Sequence, residues 1–204
     1  MNISALPDSD ITPLRDSPSN PAWLVGSCEN ARTLHKLVPT LQTSDATETT
    51  PVAALQCVCV VPSIPEPLPA DQWTAETLEA SVEQPLLWTV TELQTVISRL
   101  IEAEKPGRLV VALPSDHAMG VDGNAAAGTV CGGILSMCRT LSMELKRKSI
   151  AVNVLLVDTD ACLELPDVAA SLRQQLALLL DLDSWMTGQE IWVADGSELG
   201  RKRP

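Results

Sequence analysis

Residues 53–61 form an apolar run, interrupted only by Gln56 and ending in β-branched side chains. A strand with one wet face alternates apolar and polar positions, so a run this nearly apolar belongs to a strand buried on both faces. Residues 108–113 and 150–157 repeat the pattern. Shorter strands are read at 22–25 and 189–194. Between the runs, apolar residues recur every three or four positions, the spacing of helices. One helix is expected over 28–38. A long one is expected over 74–103, with Leu78, Val82, Leu86, Val90, Leu93, Val96, Ile97 and Leu100 on its apolar side and Pro85 kinking it or ending its first segment. A Gly/Ala-rich helix follows over 125–146, and another over 167–180. Strands alternating with helices imply parallel pairing in a doubly wound α/β sheet.

The remaining segments are punctuation. Residues 1–20 are rich in Pro, Ser and Asp and read as a disordered arm. Residues 40–51 are polar, without periodicity, and read as a loop. Residues 201–204 form a basic tail. A single domain is expected over 21–200.

Composition excludes several classes of function. The formal net charge is −12, which opposes binding to nucleic acid or to an anionic membrane surface. No apolar run is long enough to span a bilayer. The first twenty residues lack the apolar stretch of a signal peptide, so a cytoplasmic protein is expected. The six cysteines, Cys28, Cys57, Cys59, Cys131, Cys138 and Cys162, form no C-x-x-C pair. With only His35 and His117 beside them they offer no zinc-ligand spacing. They are read as buried free thiols, with Cys57 and Cys59 on one side of a strand, and no metal is expected. The chain contains no Tyr and no Phe, which excludes any chemistry that needs a phenol.

From Gln72 onward the order of motifs resembles the second half of a short-chain dehydrogenase/reductase. Gly107-Arg-Leu-Val-Val-Ala-Leu-Pro-Ser115 is similar to that family's strand before the active-site serine. Cys138-Arg-Thr-Leu-Ser-Met-Glu-Leu145 followed by Ile150-Ala-Val-Asn153 is similar to the helix end and next strand. Thr187-Gly188-Gln189 with Val193-Ala-Asp-Gly196 is similar to the family's closing segment, and Trp73 stands where a Trp often opens the long helix.

The resemblance implies a degenerate member. The family's Tyr-x-x-x-Lys maps onto Ala127 and Cys131. Its serine maps onto Pro114, with Ser115 one residue on, and its asparagine falls near Ser81. Such enzymes move a proton through a tyrosine whose pKa a neighbouring lysine lowers, and neither group is present. The glycine-rich nucleotide loop is reduced to Gly26, with Glu29 close by. The later nucleotide motifs are absent at Val60-Val-Pro-Ser63 and near Val157-Asp158. No cofactor is expected. Residues 28–50 are too few for two further strands with their crossovers, which predicts a truncated Rossmann-like, mostly parallel sheet of about five strands in place of seven.

In that family the long helix and the active-site helix form the main dimer interface. A non-catalytic subunit that pairs with a catalytically competent dehydrogenase/reductase subunit is therefore expected. Leu86, Val90, Gly128, Cys131, Gly132, Leu135 and Ser136 are the expected interface residues, the small ones permitting close helix approach. The alternative is a homo-oligomeric scaffold or regulatory binding protein. A residual enzyme built on Ser115, Asp116 and His117 is a third reading, opposed by their adjacency in sequence.

Overall fold

A computed structural model describes residues 18–26, 28–43, 55–120 and 122–196. Strand β1 spans Ala22–Val25 and feeds helix α1, Glu29–Leu37. Strand β2 is Gln42–Thr43 and β3 is Cys57–Val60. Helix α2, Ala75–Leu78, runs through a π-helical turn, Glu79–Glu83, into α3, Gln84–Glu102. Strand β4, Gly107–Pro114, leads into the short α4, Ser115–Met119. Helix α5 is Ala125–Glu144, β5 is Ile150–Val157, α6 is Thr159–Glu164, α7 is Pro166–Leu179 and β6 is Glu190–Val193.

The strands form one sheet in the order β2-β1-β3-β4-β5-β6, and every pairing is parallel. The architecture is a Rossmann-like α/β sandwich. Among the described residues the sheet has six strands, where about five were expected. The extra one, β2, lies inside the segment read as a loop. Its two residues are polar and exposed, so no apolar pattern marks them. Buried Leu41 just before them anchors the return of the chain from α1, and Gln42 and Thr43 pair with Trp23 and Leu24. Strand β3 is shorter than the apolar run 53–61, of which 53 and 54 lie outside the described residues. The arm (1–17), the end of the expected loop (44–51) and the basic tail also lie outside them.

Strands β4 and β5 pair over all eight positions, from Gly107 with Ile150 to Pro114 with Val157. Side chains alternate between two cores. On one face, Val58, Val60, Leu109, Val111, Val152 and Val154 pack with Leu93, Val96 and Leu100 of α3 and Val130, Ile134 and Cys138 of α5. On the other, Cys57, Cys59, Val110, Ala112 and Leu155 pack with Ala31 and Leu34 of α1 and Leu172 and Leu176 of α7. Cys57 and Cys59 thus share a face, as their spacing requires. Each fully buried aliphatic side chain is worth about 1.5–3 kcal/mol of transfer free energy.

The expected helix over 74–103 is continuous in space but not in hydrogen-bond pattern. Thr74 caps it: its hydroxyl accepts from the Thr77 N–H at 3.1 Å, and the Thr77 hydroxyl accepts from the Thr74 N–H at 2.8 Å. The π-helical turn then precedes Pro85, which sits in the first turn of α3. Proline has no N–H and clashes with the carbonyl four residues back. The widened turn accommodates that conflict, so the expected break takes this form.

Asn153 ties β5 to the approach of β6. It is buried; its side-chain NH2 donates to the Met186 carbonyl at 2.9 Å, and its carbonyl accepts from the Gln189 N–H at 3.1 Å. Asn153→Ala would leave both backbone groups unsatisfied, at about 1–3 kcal/mol each. The expected loss is about 2–4 kcal/mol in chemical denaturation, with an unchanged denaturant slope. A loss under about 0.5 kcal/mol would show that these bonds do not hold β6.

Candidate functional site

In a doubly wound sheet, ligands bind outside the carboxyl ends of the strands, beside the point where crossovers diverge. Here the chain leaves β1 toward β2 on one side and passes β1 to reach β3 on the other. A crevice of about 450 Å³ opens at this end of the sheet. Asn30 of α1 lines it, with residues 114–117 after β4, residues 157–161 after β5, Glu164, Leu165 and Asp195.

The lining is strongly acidic. Asp116, Asp158, Asp160, Glu164 and Asp195 contribute to it, while His117 is its sole basic-type side chain. Asp116 Oδ1 lies 2.6 Å from His117 Nδ1 and also accepts from the His117 N–H at 2.8 Å. Asp158 accepts from the Ala161 N–H at 2.9 Å, capping α6. Such a lining repels phosphate. Apart from Asp116, Asp158 and Asp195, noted only for their place in the chain, sequence reasoning missed these acids. The usable signal was Asp158-Thr-Asp160 and Glu164 directly after a buried strand, a place where a third apolar segment would be the bland choice.

Ser115 and Pro114 both line the crevice, and Ser115 is 2% exposed. Ala127 and Cys131 are fully buried on the sheet-facing side of α5. Burial, reinforced by the Asp116 charge, pushes the Cys131 thiol up to about 12. It is therefore neutral at physiological pH, neither a cation nor a nucleophile. Ser81 lies in the π-helical turn, and the structure does not bring it into the crevice lining. Gly26 has φ +150°, and a Cβ there would lie 2.6 Å from the Val61 carbonyl oxygen. Close packing of the β1 end against the chain after β3 accounts for this glycine without a ligand. Glu29 is exposed and pairs with Arg32 at 2.9 Å.

The expected interface residues divide. Val90, Gly132 and Ser136 are exposed, whereas Leu86, Gly128 and Leu135 are half-buried. Cys131 belongs to the chain's own core, which corrects its assignment to an interface. Leu86 packs on Gly133, where a Cβ would meet its methyl carbon at 3.2 Å. Alongside runs an apolar groove of about 930 Å³, lined among others by Trp73, Leu78, Val82, Leu87, Val90 and Ala126. Among the described residues no three His, Cys, Asp or Glu side chains are placed to hold a metal ion. No helix among them is long and apolar enough to cross a membrane.

No protein-family model and no curated protein sequence matches this chain. Solved structures do. A gluconate 5-dehydrogenase from Burkholderia cenocepacia J2315, in complex with NADP and tartrate, superposes with a TM-score of 0.64 at 14% identity, covering 90% of this chain and 97% of that one. An acetoin dehydrogenase from Enterobacter cloacae superposes with a TM-score of 0.58 at 15% identity, covering 91% and 87%. The chain shares the Rossmann-like fold of these two dehydrogenases. At these identities the likeness concerns the fold alone. Both neighbours are named as dehydrogenases, so they give no support to an absence of catalysis here.

The thiols supply a test of the site's chemistry. Burial raises Cys59, Cys131 and Cys138 to about 12 and, as the largest effect, Cys57 and Cys162 to about 11, from an ordinary 9.0. Folded thiols then hold protons that unfolded thiols release, so stability falls as pH rises through the window from 9 toward 11–12. Denaturation midpoints are expected to be insensitive to these groups from pH 7 to 8 and to drop above pH 9. In the same protein at pH 8, mass spectrometry after brief alkylation should find only Cys28 modified. Rapid modification of Cys131 would show an open site.

Proposed function

We propose that this chain is a non-catalytic relative of the short-chain dehydrogenases that works as a subunit, pairing through α3 and α5 with a catalytically competent dehydrogenase/reductase subunit. What supports the reading is the chemistry of α5: motif spacing matches the family's Tyr and Lys to Ala127 and Cys131, both fully buried, and burial keeps that thiol neutral. Alanine has no ionisable proton, and a buried thiol supplies no fixed positive charge.

Other observations agree. The crevice at the strand ends is lined by five carboxylates and neither Lys nor Arg, a poor home for a pyrophosphate. The reading from Ser115, Asp116 and His117 as a residual enzyme lacks its key contact: His117 pairs with Asp116, and no hydrogen bond joins it to the Ser115 hydroxyl, so nothing activates that hydroxyl as a nucleophile.

The pairing surface is supported by the exposed apolar side chains Leu87 and Val90 beside the groove and by Gly132, which has open space over its α-carbon. A glycine costs an exposed helix about 1 kcal/mol relative to alanine. A close helix approach from outside gives it a use.

Mass analysis of the native complex after mild co-purification tests the proposal. A companion dehydrogenase-like chain at a fixed ratio is the expected outcome. A clean homodimer without a companion would sink the pairing and favour the scaffold or regulator. Gly132→Leu is expected to leave the free chain at least as stable by thermal melting, yet to weaken the complex 100-fold or more. Retained affinity would remove α5 from the interface. In fluorescence titration, NADPH and NADH are expected not to bind the isolated chain, and a saturable response would contradict the absence of a nucleotide site.

A further inference from the structure

The crevice at the strand ends holds more negative charge than a vestigial nucleotide site would need. Five carboxylates line it, and His117 is the one basic-type side chain in the same lining. Asp116 is engaged with His117 and Asp158 caps α6, whereas Asp160 and Glu164, one helical turn apart on α6, have no side-chain partner among the described residues. Residues spaced by four lie on one helix face, so these two charges project together.

A second feature points to a ligand. Ser115 is nine-tenths and more buried and lines the crevice, and among the described residues its hydroxyl makes no hydrogen bond. Buried polar groups ordinarily find one.

The class of ligand follows from what surrounds these groups. No three of the carboxylates, among the described residues, converge tightly enough for a metal ion, so separated positive charges suit the crevice better than one compact divalent ion. No aromatic ring lines it, so it lacks the cage that recognises quaternary ammonium. The cation must instead offer N–H donors to carboxylates and to a hydroxyl. Pro114, Val157, Ala161 and Leu165 supply apolar wall between the acids, a match for methylene spacers.

We propose that this acidic crevice, with the unpartnered Ser115 hydroxyl at its floor, is a binding site for a linear aliphatic di- or polyamine. The proposal rests on the reading that no dinucleotide occupies the crevice, and it is independent of the pairing partner.

Calorimetric titration of the full chain with spermidine in 150 mM NaCl tests it. One saturable site is expected. Asp160→Asn with Glu164→Gln should weaken it at least tenfold, and Ser115→Ala several-fold. Glu76→Gln with Glu102→Gln, an equal charge change on exposed helix positions elsewhere, should leave it within twofold. Weak multi-site binding reduced equally by both double variants would overturn the proposal, since that is the behaviour of a generally acidic surface. Equal affinity for tetramethylammonium, or displacement by magnesium alone at similar concentration, would also overturn it. NADPH binding in the crevice would sink both this site and the non-catalytic reading, whereas a partnerless homodimer that binds spermidine would sink only the pairing.

Discussion

The pairing of β4 with β5 is the constraint on which the rest of the molecule depends. Eight consecutive residues on each strand meet in parallel register, and almost all of them are buried. Parallel strands demand a long crossover, and α5 supplies it, packing back onto the sheet it connects. Gly107 opens the pairing where a Cβ would press on Leu100 and Ile150 at 3.2 and 3.3 Å. Pro114 and Val157 close it together, so the segments after both strands are delivered side by side. The crevice exists because those two exits coincide.

Much of this was legible because burial on two faces leaves an unmistakable trace. The runs at 108–113 and 150–157 lie wholly within strands of the structure, and the alternation of Cys57 and Cys59 correctly assigned a shared face. Several motif residues turn out to have structural work: Asn153 holds the turn before β6, and Arg139 forks onto Glu190 at 2.6 and 3.1 Å, joining α5 to β6. What escaped the sequence has equally physical reasons. Strand β2 is held by the anchor Leu41 and by backbone bonds, neither of which imposes a pattern on Gln42 and Thr43. Helices α4 and α6 are five and six residues long, too short for helical periodicity to register. Cys131 was assigned outward because small residues occur on several sides of α5, and spacing alone does not reveal which side meets the sheet.

The candidate site was half legible. The Asp116 charge acts on the Cys131 thiol, so the segment after β4 lies near that turn of α5. Ser81 was placed by motif order and stays outside. The acids that define the crevice come from three separate strand exits. Only the parallel register gathers Asp116, Asp158 and Asp195, and no local window of sequence contains that fact.

The sheet tapers at both margins. Its outermost described strands are two and four residues long, flanking a centre of eight. Such blunt margins offer an approaching chain few free amides and carbonyls, which discourages growth by strand addition. Self-assembly into fibrils through the described strands is thereby disfavoured. Among the described elements, the helical layers present the broader surface to any approaching chain.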